Sequence, residues 1–200
     1  MPRPKVKIAR ALNIALTPKA AKIMERRPGT PGQHGLNRKK SPSVFKTQLM
    51  EKQRLKATYN VSESQLKKYF KVAQKSHENT GDILLRLLES RVDAAIFRMG
   101  FAKTIYAAQQ YVTHGHFDVN GIRCKTPSLL LKNGATVTVR EKSKTHPQMI
   151  ESLTHSQSIQ VPEYLEINKV KMEGKTINTP TREQIPVQIN EQLVVEYYSR

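Results

Sequence analysis

Cysteine, tryptophan and negative charge are all scarce in this chain of 200 residues. Cys124 is its single cysteine, tryptophan is absent, aromatic residues make up 6%, and Asp plus Glu number 16 against 34 Lys plus Arg. One thiol excludes an internal disulfide and a cysteine-cluster zinc site, and it suits a reducing compartment. No apolar stretch reaches the roughly 18 residues needed to span a bilayer. The basic start MPRPKVKIARALNIAL has neither the apolar run nor the small-residue cleavage site of a secretory signal. The shortage of acid leaves a net charge of +18 and a pI near 10.1. A compact chain this basic repels itself unless a polyanion is bound. The expectation is a soluble intracellular protein with a polyanionic partner, the candidates being nucleic acid and an acidic membrane face.

Catalytic signatures are also missing. The sequence has no glycine-rich phosphate loop ending in Gly-Lys-Ser/Thr, no G-x-S-x-G elbow and no H-E-x-x-H helix. His114, His116 and Asp118 alternate toward a turn without a third convergent soft ligand, so no metal is assigned to them. Cys124 reads as a small apolar strand residue. Neither an enzyme nor a cofactor is expected.

What is present is unevenly placed. Residues 1–79 hold 19 Lys/Arg against 4 Asp/Glu, a net of +15, and residues 80–200 hold 15 against 12. Random scatter of solvated lysines does not produce such a split; a phosphate-binding face or arm does.

Residues 1–42 read as a basic arm with little regular structure, punctuated by prolines and by Gly29, Gly32 and Gly35, although Lys19 to Arg27 are compatible with a short helix. A helix follows from Ser43 to about Tyr59. Ser62 and Gln65 have capping-box spacing for the next one, in which Leu66, Tyr69, Phe70 and Ala73 form a buried stripe. Lys67, Lys68, Lys71 and Lys75 take the remaining arc, read as phosphate-facing. A longer helix is expected over about 80–99, capped by Asn79 or Thr80, with Gly100 at its end and Arg91 and Asp93 as a structural pair. A short helix over 104–114, capped by Thr104 and closed by Gly115, is expected to point Gln109, Gln110 and His114 outward. HFDVNGIRC then reads as a hairpin on Asn120-Gly121, and SLLLKNGATVTV as a second on Asn133-Gly134. Further expectations are a helix over 147–156, strands at Tyr164–Ile167 and Lys175–Asn178, and a terminal segment that is either a short helix or a strand, with the Asn190 cap and Glu191 favouring helix.

The order and wording of several segments carry a resemblance. They are PGQHG (31–35), SVFKTQLMEKQR (43–54), YNVSESQLKKYF (59–70), NTGDILLRLLESRVDAAIFRMGFA (79–102), VPEYLEI (161–167) and INEQLVVEYYSR at the terminus. Together they resemble the bacterial and organellar family of small-subunit ribosomal protein four. Some relatives hold zinc with four N-terminal cysteines, so this chain is similar to the zinc-free form.

The resemblance implies an α+β protein. It would comprise a basic arm (1–42), a mainly helical rRNA-binding domain (43–90, completed by the tail 183–200), and an inserted small α/β RNA-binding module with antiparallel strands (91–182). It implies a non-enzymatic constituent of the small subunit that binds the 5′ domain of 16S-type rRNA and nucleates assembly of the subunit body. A contribution to decoding accuracy and contact with neighbouring ribosomal protein five are also implied. Residence would be the ribosome, in the cytoplasm or in an organelle's matrix or stroma, with no membrane and no homo-oligomer. In relatives the module's RNA face uses the short helix and following loop, which correspond to Lys103, Thr104, Tyr106, Gln109, Gln110, His114, Arg123 and Lys125. Many relatives carry Arg where this chain has Ile105 and Gln109, which implies either weaker phosphate affinity on this face or an electrostatic load moved to the arm. Arg38, Lys39 and Lys40 follow PGQHG, where relatives line the path of incoming mRNA. The remaining candidate rRNA contacts are Arg3, Lys5, Lys7, Arg10, Arg26, Arg27, Gln33, His34, Lys46, Lys52, Gln53, Arg54, Lys67, Lys68 and Lys71. RNA-modifying enzymes that share the small module need a separate catalytic domain, for which too little chain remains. A DNA-bending architectural protein is the other class compatible with the charge.

Overall fold

The computed structural model describes residues 4–35, 37, 41–155 and 161–199. The described helices are α1 (Lys5–Leu12), α2 (Pro18–Arg26), α3 (Val44–Thr58), α4 (Glu63–Ala73), α5 (Thr80–Glu89), α6 (Val92–Arg98), α7 (Ile105–His114), α8 (Glu141–Lys144), α9 (Pro147–His155) and α10 (Glu191–Tyr198). The strands are β1 (Phe117–Val119), β2 (Ile122–Cys124), β3 (Thr136–Val139), β4 (Leu165–Asn168) and β5 (Glu173–Thr176). The fold is therefore α+β, and the chain divides into two compact units, residues 1–70 with 188–200 and residues 71–187.

In the first unit, local capping chemistry sets the helices. The Ser43 hydroxyl accepts the Lys46 N–H at 3.3 Å to start α3. At α4 the capping box is closed in both directions: Ser62 N–H donates to Gln65 Oε1 and Gln65 N–H to Ser62 Oγ, each at 3.2 Å, satisfying backbone donors that a helix start leaves orphaned. Leu66 and Phe70 are buried as their spacing predicts. Helix α10 packs on α3. Its cap Asn190 accepts the Leu193 N–H through Oδ1 and donates its own N–H to Glu51 Oε2. Phe70 meets Tyr198 at 4.9 Å between ring centroids.

The arm is more ordered than its composition suggests. Two of its prolines sit where helices begin rather than where they break: Pro4 caps α1, and Pro18 opens α2 after Thr17, whose hydroxyl accepts the Ala20 N–H at 3.1 Å. A proline in the first turn forfeits no helical hydrogen bond. Ala9 and Leu12, on one side of α1, are buried, and α1 packs against α2 and α3.

The second unit is built on an antiparallel sheet of order β2-β1-β3-β5-β4. Val92, Ile96, Met99, Phe101, Val112, Phe117 and Val137 form the centre of its core. The Asn120-Gly121 hairpin forms as expected, with φ of 51° and 77° and Val119 opposite Ile122. Both central residues take the positive φ of a type I′ turn, which glycine tolerates without strain.

Three expectations are corrected here. The single helix over 80–99 is two, because Ser90 turns its hydroxyl back to the Arg86 carbonyl and Arg91, at ψ 144°, leaves helical geometry to bridge Leu130. Asn133-Gly134 does not join two strands: only β3 follows it, and Gly134 N–H is spent on the Thr176 carbonyl at 2.7 Å. The last two strands lie at Leu165–Asn168 and Glu173–Thr176, so the second begins and ends earlier than the sequence pattern indicated.

Candidate nucleic-acid interface

Lys67 and Lys68 of the first unit, and Lys71 at the start of the second, project from α4 into solvent, and Lys75 lies exposed in the turn after it. Their i, i+3 and i+4 spacing puts the helical three on one face, because the opposite stripe is occupied by Leu66, Phe70 and Ala73 in the core. Lys7, Arg26, Arg27 and Lys46 are exposed, as is Lys5. Gln53 is half-buried on α3. The PGQHG segment folds into a tight turn in which Gly35 N–H donates to the Gly32 carbonyl at 3.1 Å and Thr30 Oγ1 to the Gly35 carbonyl at 3.2 Å. That closure presents Gln33 and His34 to solvent, with His34 Nδ1 3.3 Å from Asn37 Nδ2. Arg3, Arg38, Lys39 and Lys40 lie outside the described residues.

Two candidates in the first unit have a different orientation. Lys52, expected among the RNA contacts, is 3% exposed; its Nζ donates to Glu63 Oε1 at 2.9 Å and sits 4.6 Å from the Tyr197 ring centroid. Its amphipathic stem is worth more in the core than in solvent, provided that a carboxylate meets the head. Arg54 is half-buried: its Nε donates to the Leu12 carbonyl at 3.0 Å, and Glu51 engages one of its terminal nitrogens. Burial alone would raise the Glu63 pKa, but hydrogen bonds from Lys56, Lys52 and Tyr198 outweigh it and hold the carboxyl down to about 2.

In the second unit the short helix α7 starts as expected, with Thr104 Oγ1 accepting the Ala107 N–H at 3.2 Å, and ends at Gly115 with φ 73°. Gln110 and His114 face solvent. Gln109 does not: its Nε2 donates to Asp93 Oδ2 at 2.8 Å. Asp93 is the hub of a buried network in which Arg91 Nε and Nη2 reach its two oxygens at 2.9 and 2.6 Å and the Ala94 N–H reaches Oδ1 at 2.8 Å. Ile105 is likewise 5% exposed. The two positions where arginine was noted in relatives thus turn inward in this chain.

Tyr106 is half-buried, and burial pushes its hydroxyl pKa up. Lys103 is ion-paired with Glu151. Arg123 is exposed, but its guanidinium closes the end of α7, donating through Nε to the Gly115 carbonyl and through Nη2 to the His114 carbonyl, each at 3.3 Å. A cation there complements the negative end of the helix dipole. Lys125 is exposed beyond β2. Burial, then the charges of His146, His114 and Arg123, hold the His116 pKa below 6.5, and its Nδ1 lies 2.9 Å from Ser143 Oγ. No cluster of three or more His, Cys, Asp or Glu suited to a metal occurs among the described residues, and none of their helices is long and apolar enough to cross a membrane.

Sequence reasoning missed the acidic partners. Glu51 stands three residues before Arg54 on α3, and that spacing was an available signal; Glu63 belongs to α4 and meets Lys52 and Lys56 of α3, which no helical spacing announces.

Two stretches of the chain match known sequence families. Residues 1–89 match the model described as the ribosomal protein S4/S9 N-terminal domain, and residues 90–137 match the S4 domain. The chain is 46% identical to small ribosomal subunit protein uS4 of Streptomyces avermitilis over 200 residues, covering 99% of this chain and 98% of that one. It is 46% identical to uS4 of Micrococcus luteus, with 98% and 95% covered, and 43% identical to uS4 of Chlorobium phaeobacteroides, with 97% and 96% covered. On identity of this extent along its whole length, the chain belongs to the uS4 family of small ribosomal subunit proteins.

Proposed function

We propose that the protein is a structural, non-catalytic constituent of the small ribosomal subunit that binds rRNA. It docks on the 5′ domain of 16S-type rRNA in the cytoplasmic ribosome and nucleates assembly of the subunit body. The observation that carries this reading is the +15 net charge of residues 1–79, combined with the solvent-facing Lys67, Lys68 and Lys71 on α4. Lysine and arginine side chains there replace counterions on converging phosphates, which supplies affinity, and polar groups around Gln33, His34 and Gln110 contact sugars and bases. The arm 1–42, the helical domain 43–90 with 183–200, and the module 91–182 divide this work, the arm and helical domain taking most of the electrostatic load. Arg38, Lys39 and Lys40 contact incoming mRNA. A surface of the protein meets ribosomal protein five, and that contact contributes to decoding accuracy.

Hydroxyl-radical footprinting of the full chain on naked small-subunit rRNA tests the reading. The expected result is protection confined to the 5′ domain at converging helices. Protection scattered over all domains, or none, overturns it.

A further inference from the structure

In the first unit, a hollow of about 430 Å³ opens beside α1, α2 and α3. Arg10, Arg27 and Arg54 line it with Asn13 and Thr30, and none of its lining residues is acidic. Gathering three cations around one hollow is unfavourable by itself, and an anion in the middle reverses the sign.

The three guanidinium groups are not equivalent. Arg54 is fixed in place, since its Nε donates to the Leu12 carbonyl at 3.0 Å and Glu51 takes one terminal nitrogen; the rest of its fork of donors remains for an occupant. Arg10 comes from α1, and its Nε is buried without a hydrogen-bond partner among the described residues. Buried polar groups are almost always satisfied, so a donor in this state calls for an acceptor. Arg27 stands just past the end of α2 and is exposed. The Thr30 hydroxyl already donates to the Gly35 carbonyl, which fixes that wall.

Guanidinium forks match tetrahedral oxyanions, because two parallel N–H groups reach two oxygens at once. We infer that this hollow is a built seat for one phosphate group, filled in the ribosome by a single backbone phosphate of the rRNA. Only the source of the phosphate rests on the function proposed above; the seat itself rests on Arg10, Arg27 and Arg54. Three arginines on one hollow share one phosphate, whereas the α4 lysines, spread along a helix face, each meet their own.

Two measurements on the full-length protein test this. In the first, inorganic phosphate is titrated while the arginine Nε–H resonances are followed by NMR. The Arg10 and Arg54 signals are expected to shift saturably, and a linear drift equal to that of other surface arginines overturns the seat. In the second, binding of the isolated 5′-domain transcript is followed against salt for Arg10→Gln with Arg27→Gln and for Lys67→Gln with Lys68→Gln. If the arginines share one phosphate, their pair lowers the log–log slope by about 0.9 and the lysine pair by about 1.8. Equal losses, or no loss from the arginine pair, overturn the proposal. Should the arginine pair not fold, Arg27→Gln alone carries the second measurement, with a slope loss of less than about 0.9 at reduced affinity; an unchanged affinity overturns the proposal. Saturable phosphate binding by a protein that ignores the transcript would keep the seat and remove the rRNA reading, so the two failures are distinguishable.

Discussion

Lys52 Nζ lies 2.9 Å from Glu63 Oε1, and only 4% of the lysine side chain is exposed while 43% of the glutamate is. One end of this pair is in the core and the other is wetted, so removing the wet end strands a buried cation. Glu63→Gln is expected to destabilise the protein by about 2 kcal/mol, less than for a pair buried at both ends because water screens the carboxylate. Urea unfolding at neutral pH measures it. The pH dependence has a defined sign. Glu63 is lowered from 4.5 to about 2, so its contribution is full above the unfolded value and is lost as pH falls through the folded one. Between about pH 4.5 and 2 the wild type is expected to lose stability more steeply than Glu63→Gln. Parallel curves in that window would contradict the pairing.

Asp93 is the more demanding case, since Arg91 and Asp93 side chains are 3% and 0% exposed. Asp93→Asn keeps the shape but removes the charge that compensates the Arg91 guanidinium and turns one acceptor into a donor facing Arg91 or Gln109. A loss of about 3 kcal/mol or more is expected. Thermal unfolding reads it, and a change below about 1 kcal/mol would show that the pair is worth no more than a surface one.

Gly174 in β5 packs against Met99. A Cβ placed there would stand 2.3 Å from Met99 Sδ, and Met99 is fully buried. Gly174→Ala is expected to cost about 1–3 kcal/mol through overpacking. Shortening the neighbour in Gly174→Ala with Met99→Ala should give a double-mutant coupling energy that recovers part of the alanine penalty; strict additivity would contradict the contact.

Local rules were legible in the sequence wherever a few neighbouring residues decide the outcome. The caps at Ser43, Ser62 with Gln65, Thr104 and Asn190 and the Asn120-Gly121 hairpin all follow from chemistry within four residues. Failures arose where a distant residue decides. Arg91 leaves the helix to pair with Leu130, and Gly134 spends its N–H on Thr176; neither partner is predictable from periodicity. The charge of the candidate interface was legible as a sum but not as a geometry. Nothing local distinguishes Lys52, drawn into the core by Glu63 and Tyr197, from Lys67 or Lys68, which remain in solvent. Gln109 was read as outward-facing for the same reason, its partner Asp93 being 16 residues away.

The electrostatic load is expected to be as uneven in binding as in sequence. Lys103 is already paired with Glu151, and Arg123 already closes α7, so these cations of the module are partly spent. Changing Lys67, Lys68 and Lys71 to Gln is expected to lower the salt slope of rRNA binding by about 2.7. Changing Lys103, Arg123 and Lys125 is expected to lower it by less than half as much. Equal reductions would place the load on α4 and the module alike.

The affinity of the full chain for the isolated 5′ domain of small-subunit rRNA, set beside that for an unrelated structured RNA of equal length at about 0.15 M salt, tests the central claim most directly. The account predicts binding to the 5′ domain tighter by about a thousandfold or more, within the range typical of specific over non-specific nucleic-acid recognition. Equal affinities for the two RNAs would contradict it.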